Sequence, residues 1–268
     1  MAAQQAGRTG RATAEEGAGG ARRRHPDMQT CEHCEARSFN MCNALDPDEL
    51  ARLASIMSDQ RFEAGTTFIE EGAPADDLFN LTSGTVKVFK LLADGRCQIT
   101  GFMMAGDFLG LSRGGTYAYS ATAITPVTCC RFQRPQLRGL FNELPKIERQ
   151  MLGLAMNELM AAQDQMVLLG RKTARERIAS FLLSLSDRAV RRGRPGNPVD
   201  LPMTRGDIAD YLGLTTETVS RTFTQLKGEG VILLKGNHGV DIQDLDALVE
   251  IAGQEDREAC FHPFDQIA

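Results

Sequence analysis

The chain has no run of 18 apolar residues, so nothing in it reads as a membrane-crossing helix. Its start, MAAQQAGRTGRATAEEGAGGARRRHPDM, lacks the apolar core of a secretory signal, and a cytoplasmic protein is expected. Histidine is scarce. There are four, and none falls in the short apolar stretches that read as strands. A convergent His/Glu metal set is therefore excluded from those strands, and an enzyme built on them is not expected. The chain also lacks a second C-x2-C beside its first one, which a mononuclear zinc site of the ribbon type would use.

What is present is enough for two modest domains: 268 residues with 42% apolar content. Seven cysteines in a cytoplasmic chain point to thiols, a metal or a cluster rather than to disulfides. The net charge of −5 hides an asymmetry. Residues 171–243 hold 12 Lys and Arg against 8 Asp and Glu, or +4, which leaves the rest near −9. A locally basic segment in an acidic protein fits one DNA-facing part, although solvated faces also reach this value.

The stretch TRGDIADYLGLTTETVSRTFTQLK, residues 204–227, has the pattern of two helices joined by a tight turn. Thr204 can cap the first helix, with Asp207 completing a short capping box. Ile208, Ala209 and Leu212 fall on one face, Gly213 breaks the helix, and Leu214 can plug the angle. Thr215 can cap a second helix whose Val219, Phe223 and Leu226 point inward. Glu217, Ser220, Arg221 and Thr224 share the opposite face, beside Thr216 at its start. An ordinary helical hairpin is the plain alternative. Short polar groups around one Arg suit a major groove better, because Arg can fork onto guanine and Glu can accept from cytosine.

Three cysteines, Cys31, Cys34 and Cys42, stand as C-x2-C-x7-C within twelve residues. Soft ligands this close suggest a metal or a cluster, zinc being the plain alternative, with His33 as a further candidate donor. Either needs a fourth ligand. Cys129 and Cys130 are adjacent on a predicted strand and so point to opposite faces. Cys130 shares a face with Phe132, and that face is expected to be the inward, shielded one. Cys97 follows the turn Asp94-Gly95-Arg96 and reads as an exposed thiol, and Cys260 lies in the tail.

Between these landmarks, residues 45–55 predict a short helix capped by Asp46. Gly72, Gly84, Gly95 and Gly106 then recur every 11 or 12 residues, a rhythm of short antiparallel strands. Residues 146–172 read as one long helix. Leu152, Ala155, Leu159, Ala162, Met166 and Leu169 form a heptad seam along it. Ile147, Met151 and Leu154 form a second stripe that can cover the strands. Residues 173–193 predict another helix, with Ile178, Phe181, Leu182 and Leu185 inward. VILLKGNHGVDIQ reads as two strands around a turn, with Lys235 and His238 able to reach phosphate. A closing helix follows at 244–252. The Arg22–Arg23–Arg24 triplet could also touch phosphate, but a solvated tail is the simpler reading.

From Cys31 to Gly253 the chain resembles the Crp–Fnr family of bacterial transcription regulators. The E-x-x-S-R pattern of Glu217, Ser220 and Arg221 resembles its Fnr branch, and the cysteine spacing resembles its FixK/FnrN-like members. The resemblance implies an α+β chain: a disordered tail over 1–30, a cysteine loop and cyclic-nucleotide-binding-like antiparallel β-roll over 31–145, a dimerisation helix over 146–172, a winged helix-turn-helix over 173–252 and a C-terminal tail over 253–268. It implies a homodimer that binds a TTGAT-like inverted repeat in double-stranded DNA through Thr216, Glu217, Ser220, Arg221 and Thr224. It further implies an oxygen-labile [4Fe–4S] cluster on Cys31, Cys34, Cys42 and Cys130, and RNA polymerase as a partner touching the turn at Gly95. One departure is informative. Family members that bind a cyclic nucleotide carry Gly-Glu and then Arg-Ser, the Arg pairing with the phosphate. Here Leu111 stands in place of that Glu and Tyr119 precedes Ser120, with Arg113 the local cation, so no cyclic nucleotide is expected.

Overall fold

The computed structural model describes residues 31–253, except Glu32, Arg113 and Asn237, together with the backbone of Arg23–Arg24. Arg22, Arg113, Asn237 and Cys260 therefore lie outside the described residues, as does the tail beyond Gly253.

The fold begins with a short strand β1, Arg23–Arg24, within the tail expected to be disordered. The cysteine loop follows, with one 3-10 turn at Arg37–Phe39. Asn40 is buried, and its Oδ1 accepts the Cys42 backbone N–H at 2.8 Å, which fixes the loop's shape from inside. Helix α1, Pro47–Ser55, is capped by Asp46 in a full capping box with Glu49.

Eight strands then build a roll: β2 Met57–Phe62, β3 Thr67–Ile69, β4 Asp77–Ser83, β5 Thr85–Leu91, β6 Cys97–Met104, β7 Phe108–Leu109, β8 Ser120–Ala123 and β9 Val127–Gln133. They form two antiparallel sheets, ordered β1-β2-β9-β4-β7 and β3-β8-β5-β6. The four rhythmic glycines all turn at positive φ. At Gly84 the need is doubled, because a Cβ would lie 2.3 Å from the Pro126 carbonyl oxygen. Phe79, Leu81, Val86, Val88, Leu109 and Cys129 fill the roll's interior.

The outer face of β2, β9 and β4 carries a second core. The cysteine loop, α1, helix α2 (Arg134–Glu143) and the start of helix α3 (Pro145–Arg171) cover it. Helix α2 is not foreseen in the sequence: its first turn has a Pro but no side-chain cap. In α3 the stripe Ile147, Met151 and Leu154 lies on this core.

Helix α4, Ala174–Arg191, starts from a Thr173–Glu176 capping box. Strand β10, Val199–Asp200, helix α5, Arg205–Leu212, and helix α6, Thr216–Gly228, follow. Strands β11, Ile232–Lys235, and β12, Gly239–Ile242, form the wing, and helix α7, Leu245–Ala252, closes the unit. The wing has a third strand that the sequence does not announce, since β10 pairs with β12. The core of this unit takes in Ile99 and Phe102 of β6, so roll and helical unit share one apolar contact. Ion pairs frame that contact: Lys87 with Asp207 at 2.7 Å, and Arg188 and Arg192 with Asp107 at 2.6 Å each. Among the described residues no helix is long and apolar enough to cross a membrane.

Candidate cysteine cluster and nucleic-acid interface

Two of the three loop cysteines meet β9 at the second core. Cys31, Cys42 and Cys130 all pack against it. Their thiols are pushed up first by burial and then by a neighbouring cysteine, Cys34 for Cys31, Cys31 for Cys42 and Cys42 for Cys130. Cys42 rises to about 12, with the charges of Cys31 and Cys34 next after burial. Cys130 rises well above the usual thiol range, with Cys42 next after burial, then Asp59, Cys34 and Cys31. Cys129 is different. It rises to about 12 through burial and Asp59, against Arg131, and no loop cysteine acts on it. Strand alternation explains the split. Cys129 lies in the roll's interior, while Cys130 shares its face with Phe132 and looks onto the loop.

The expectation that Cys130 lies on the roll's inward face is therefore corrected. The interior is filled by Phe79, Leu81 and Val88. Shielding comes instead from helices and loop on the outer face. Cys130 sits opposite Asp59 of β2 and Asn80 of β4. Burial and mutual repulsion oppose charge on Cys42 and Cys130, and a cation beside them would offset that repulsion. Among the described residues no three His, Cys, Asp or Glu side chains converge on one point as ligands of a single ion would.

Cys97 also departs from expectation. It is half-buried against the core shared with the helical unit, and burial, followed by the charge of Asp210, raises its thiol.

Polar groups at both ends of the stretch from Gly110 to Ser120 are bonded within the chain. The Gly110 N–H donates to Tyr119 Oη at 2.8 Å, so that amide is already satisfied. Arg134 donates to the carbonyls of Ala75, Gly110 and Ser112 at 2.6, 2.7 and 3.0 Å.

The helix-turn-helix forms as its residues dictate. Thr204 accepts from the Asp207 N–H, and the Asp207 carboxylate accepts from the Thr204 N–H at 3.0 Å. Gly213 takes the left-handed conformation that ends α5. Thr215 caps α6, and Val219, Phe223 and Leu226 are buried. Arg205, at the start of α5, stacks on the Phe223 ring at 3.6 Å from its centroid. Thr216, Glu217, Ser220, Arg221 and Thr224 are all exposed on α6. Ser220 and Thr224 donate to the carbonyls of Thr216 and Ser220, which leaves their oxygen lone pairs outward as acceptors. On the wing, Lys235 pairs with Asp241 at 2.9 Å and His238 Nδ1 lies 3.3 Å from the Leu201 carbonyl.

Along α3 the seam residues are open. Leu152, Leu159 and Met166 are 63%, 51% and 70% exposed, and Ala155 and Ala162 are exposed between them. Leu169 is half-buried instead, since it lies beside Gly213 at the turn between α5 and α6.

Two family models match the chain: a cyclic nucleotide-binding domain over residues 59–143 and a Crp-like helix-turn-helix domain over residues 176–251. The nitrogen fixation regulation protein FixK of Bradyrhizobium diazoefficiens is 41% identical over 209 residues, covering 78% of this chain and 88% of that protein. The transcriptional activator protein FnrL of Cereibacter sphaeroides is 38% identical over 232 residues, covering 85% and 94%. The solved structure of FixK2 from Bradyrhizobium japonicum superposes with a TM-score of 0.69 at 34% identity, over 73% of this chain and 97% of that one. A roll joined through a long helix to an exposed helix-turn-helix, matched by relatives of this identity and coverage, makes the chain a DNA-binding transcription regulator of the Crp–Fnr family, Fnr branch.

Proposed function

We propose that the protein is a homodimeric regulator of anaerobic gene expression whose Cys31, Cys34, Cys42 and Cys130 hold an oxygen-labile [4Fe–4S] cluster. The reading rests on one observation: Cys130 packs with Cys31 and Cys42 against the second core, while its neighbour Cys129 lies on the other face of β9, inside the roll. A cluster bound there would supply a tie between loop and β9 that oxygen breaks. The loop residues then hold their place by packing alone. Because Ile147, Met151 and Leu154 share that core, a loosened loop loosens the base of α3. The population of the DNA-competent dimer falls with it. Leu152, Ala155, Leu159, Ala162 and Met166 are the apolar face that a second copy would cover. The names of the relatives, an activator called FnrL and a nitrogen fixation regulator called FixK, fit this reading.

On DNA, Arg221 forks onto a guanine and Glu217 accepts from a cytosine in a TTGAT-like half-site of an inverted repeat. RNA polymerase is the expected partner at the exposed turn of Asp94, Gly95 and Arg96. The Gly110–Tyr119 bond supports a sensor that takes no cyclic nucleotide. Purification without oxygen tests the cofactor. The expected product is brown, with iron and sulfide in equal amounts. A colourless protein with one zinc per chain would mean that the cysteines only fold the N-terminal loop.

A further inference from the structure

Asn80 lies on β4 directly across from Cys130 of β9. Leu78, two residues before it, belongs to the second core, and Phe79 and Leu81 belong to the roll's interior. Alternation therefore turns Asn80 toward the cysteine side. It is 1% exposed, and its Oδ1 is buried without a hydrogen-bond partner among the described residues. A buried amide atom left unpaired is costly, and the same place on this strand could be filled by Leu without that cost. A primary amide has two donors and one acceptor, and a half-turn about its last bond exchanges them without changing its shape. Turned so, the amide would set an N–H where its unpaired Oδ1 now lies, and sulfur held at Cys130 would accept it.

We infer that Asn80 is a positioning residue for the cysteine-bound group, donating an N–H to sulfur on Cys130 or to a sulfide beside it. This rests on the cluster reading above. Hydrogen bonds to cluster sulfurs move reduction potential and slow loss of the thiolate ligand, so the amide sets how readily oxygen destroys the site. The test compares the full chain with Asn80→Leu and Asn80→Ser, each loaded with iron and sulfide without oxygen. Three quantities are measured: the cluster's midpoint potential, the rate at which visible absorbance decays in air, and the melting temperature of the cluster-free protein. Asn80→Leu is expected to lower the potential and to hasten decay by about three- to tenfold, the factor one hydrogen bond carries. Its cluster-free form should melt no lower than the unmodified chain, because an unpaired polar atom has been removed. Asn80→Ser, which keeps a hydroxyl donor, should fall between the two, and it carries the test if the leucine variant does not fold. Unchanged potential and decay in the folded variants would overturn the inference while leaving the cluster reading intact. If the unmodified chain takes up no cluster, the inference falls together with that reading.

Discussion

At the scale of single residues, two adjacent cysteines have opposite surroundings. Cys129 is sealed in the roll, and Cys130 faces the loop cysteines. Cys130→Ser is therefore expected to abolish the visible absorbance of protein reconstituted without oxygen, and Cys129→Ser to preserve it; the reverse pattern would reassign the fourth ligand. The pairing of Cys130 with the loop is suggested by resemblance, but which face of β9 is interior is not legible in the sequence. Arg131 lies on the same side as Cys129, which makes that side look solvated. Asp77 answers it with an ion pair at 2.5 Å, so a charged residue stays at the edge of a filled interior. On α6 the exposed Arg221 makes a different prediction. Arg221→Ala should lose discrimination at the half-site guanine by roughly 1–3 kcal/mol, read from binding to mutated half-sites at one salt concentration. A loss equal across all sequences would place Arg221 on phosphate.

At the scale of elements, local chemistry made much of the fold legible. Thr204 with Asp207, Asp46 with Glu49 and the left-handed Gly213 all act within a turn of their own helix. Elements defined by distant partners were not legible. Two-residue β10 exists because Val199 and Asp200 meet Val240 and Gly239, and nothing local marks them. Helix α2 has no side-chain cap to announce it. The strand rhythm was readable because each glycine has a steric reason. Gly84→Ala should lower the unfolding free energy by about 1–3 kcal/mol, measured by denaturant titration, since φ is +84° and the Pro126 carbonyl stands in the way. The open seam of α3 carries a prediction about assembly. A two-fold interface brings a residue near its own copy, so Ala162→Asp should shift sedimentation toward monomer by setting two carboxylates together. The unmodified chain, prepared without iron and sulfide, should still show dimer at micromolar concentration, because its seam carries no charge to repel. Monomer alone in that sample would contradict the seam.

At the scale of the whole molecule, the roll and the DNA-binding unit are one packed body through Ile99, Phe102 and the ion pairs around them. Asp207 is central, because it caps α5 and meets Lys87 of β5. Burial opposes its ionisation, but Lys87 and Thr204 prevail and hold its carboxyl below the usual range. A depressed carboxyl stabilises the fold above its unfolded value, and that contribution fades as pH falls. Lys87→Met should therefore flatten the loss of stability below about pH 4, read as melting temperature against pH, whereas an unchanged profile would leave Asp207 no role in docking. The two sites are joined by this body and by α3, the route along which the proposed regulation would run. The direct test is the affinity of one anaerobically reconstituted sample for a TTGAT-type inverted repeat, measured before and after exposure to air alongside iron and sulfide content. The account predicts about four iron and four sulfide per chain before exposure, their loss in air, and a fall in operator affinity in step with that loss. Affinity that stays constant while iron and sulfide are lost would contradict it.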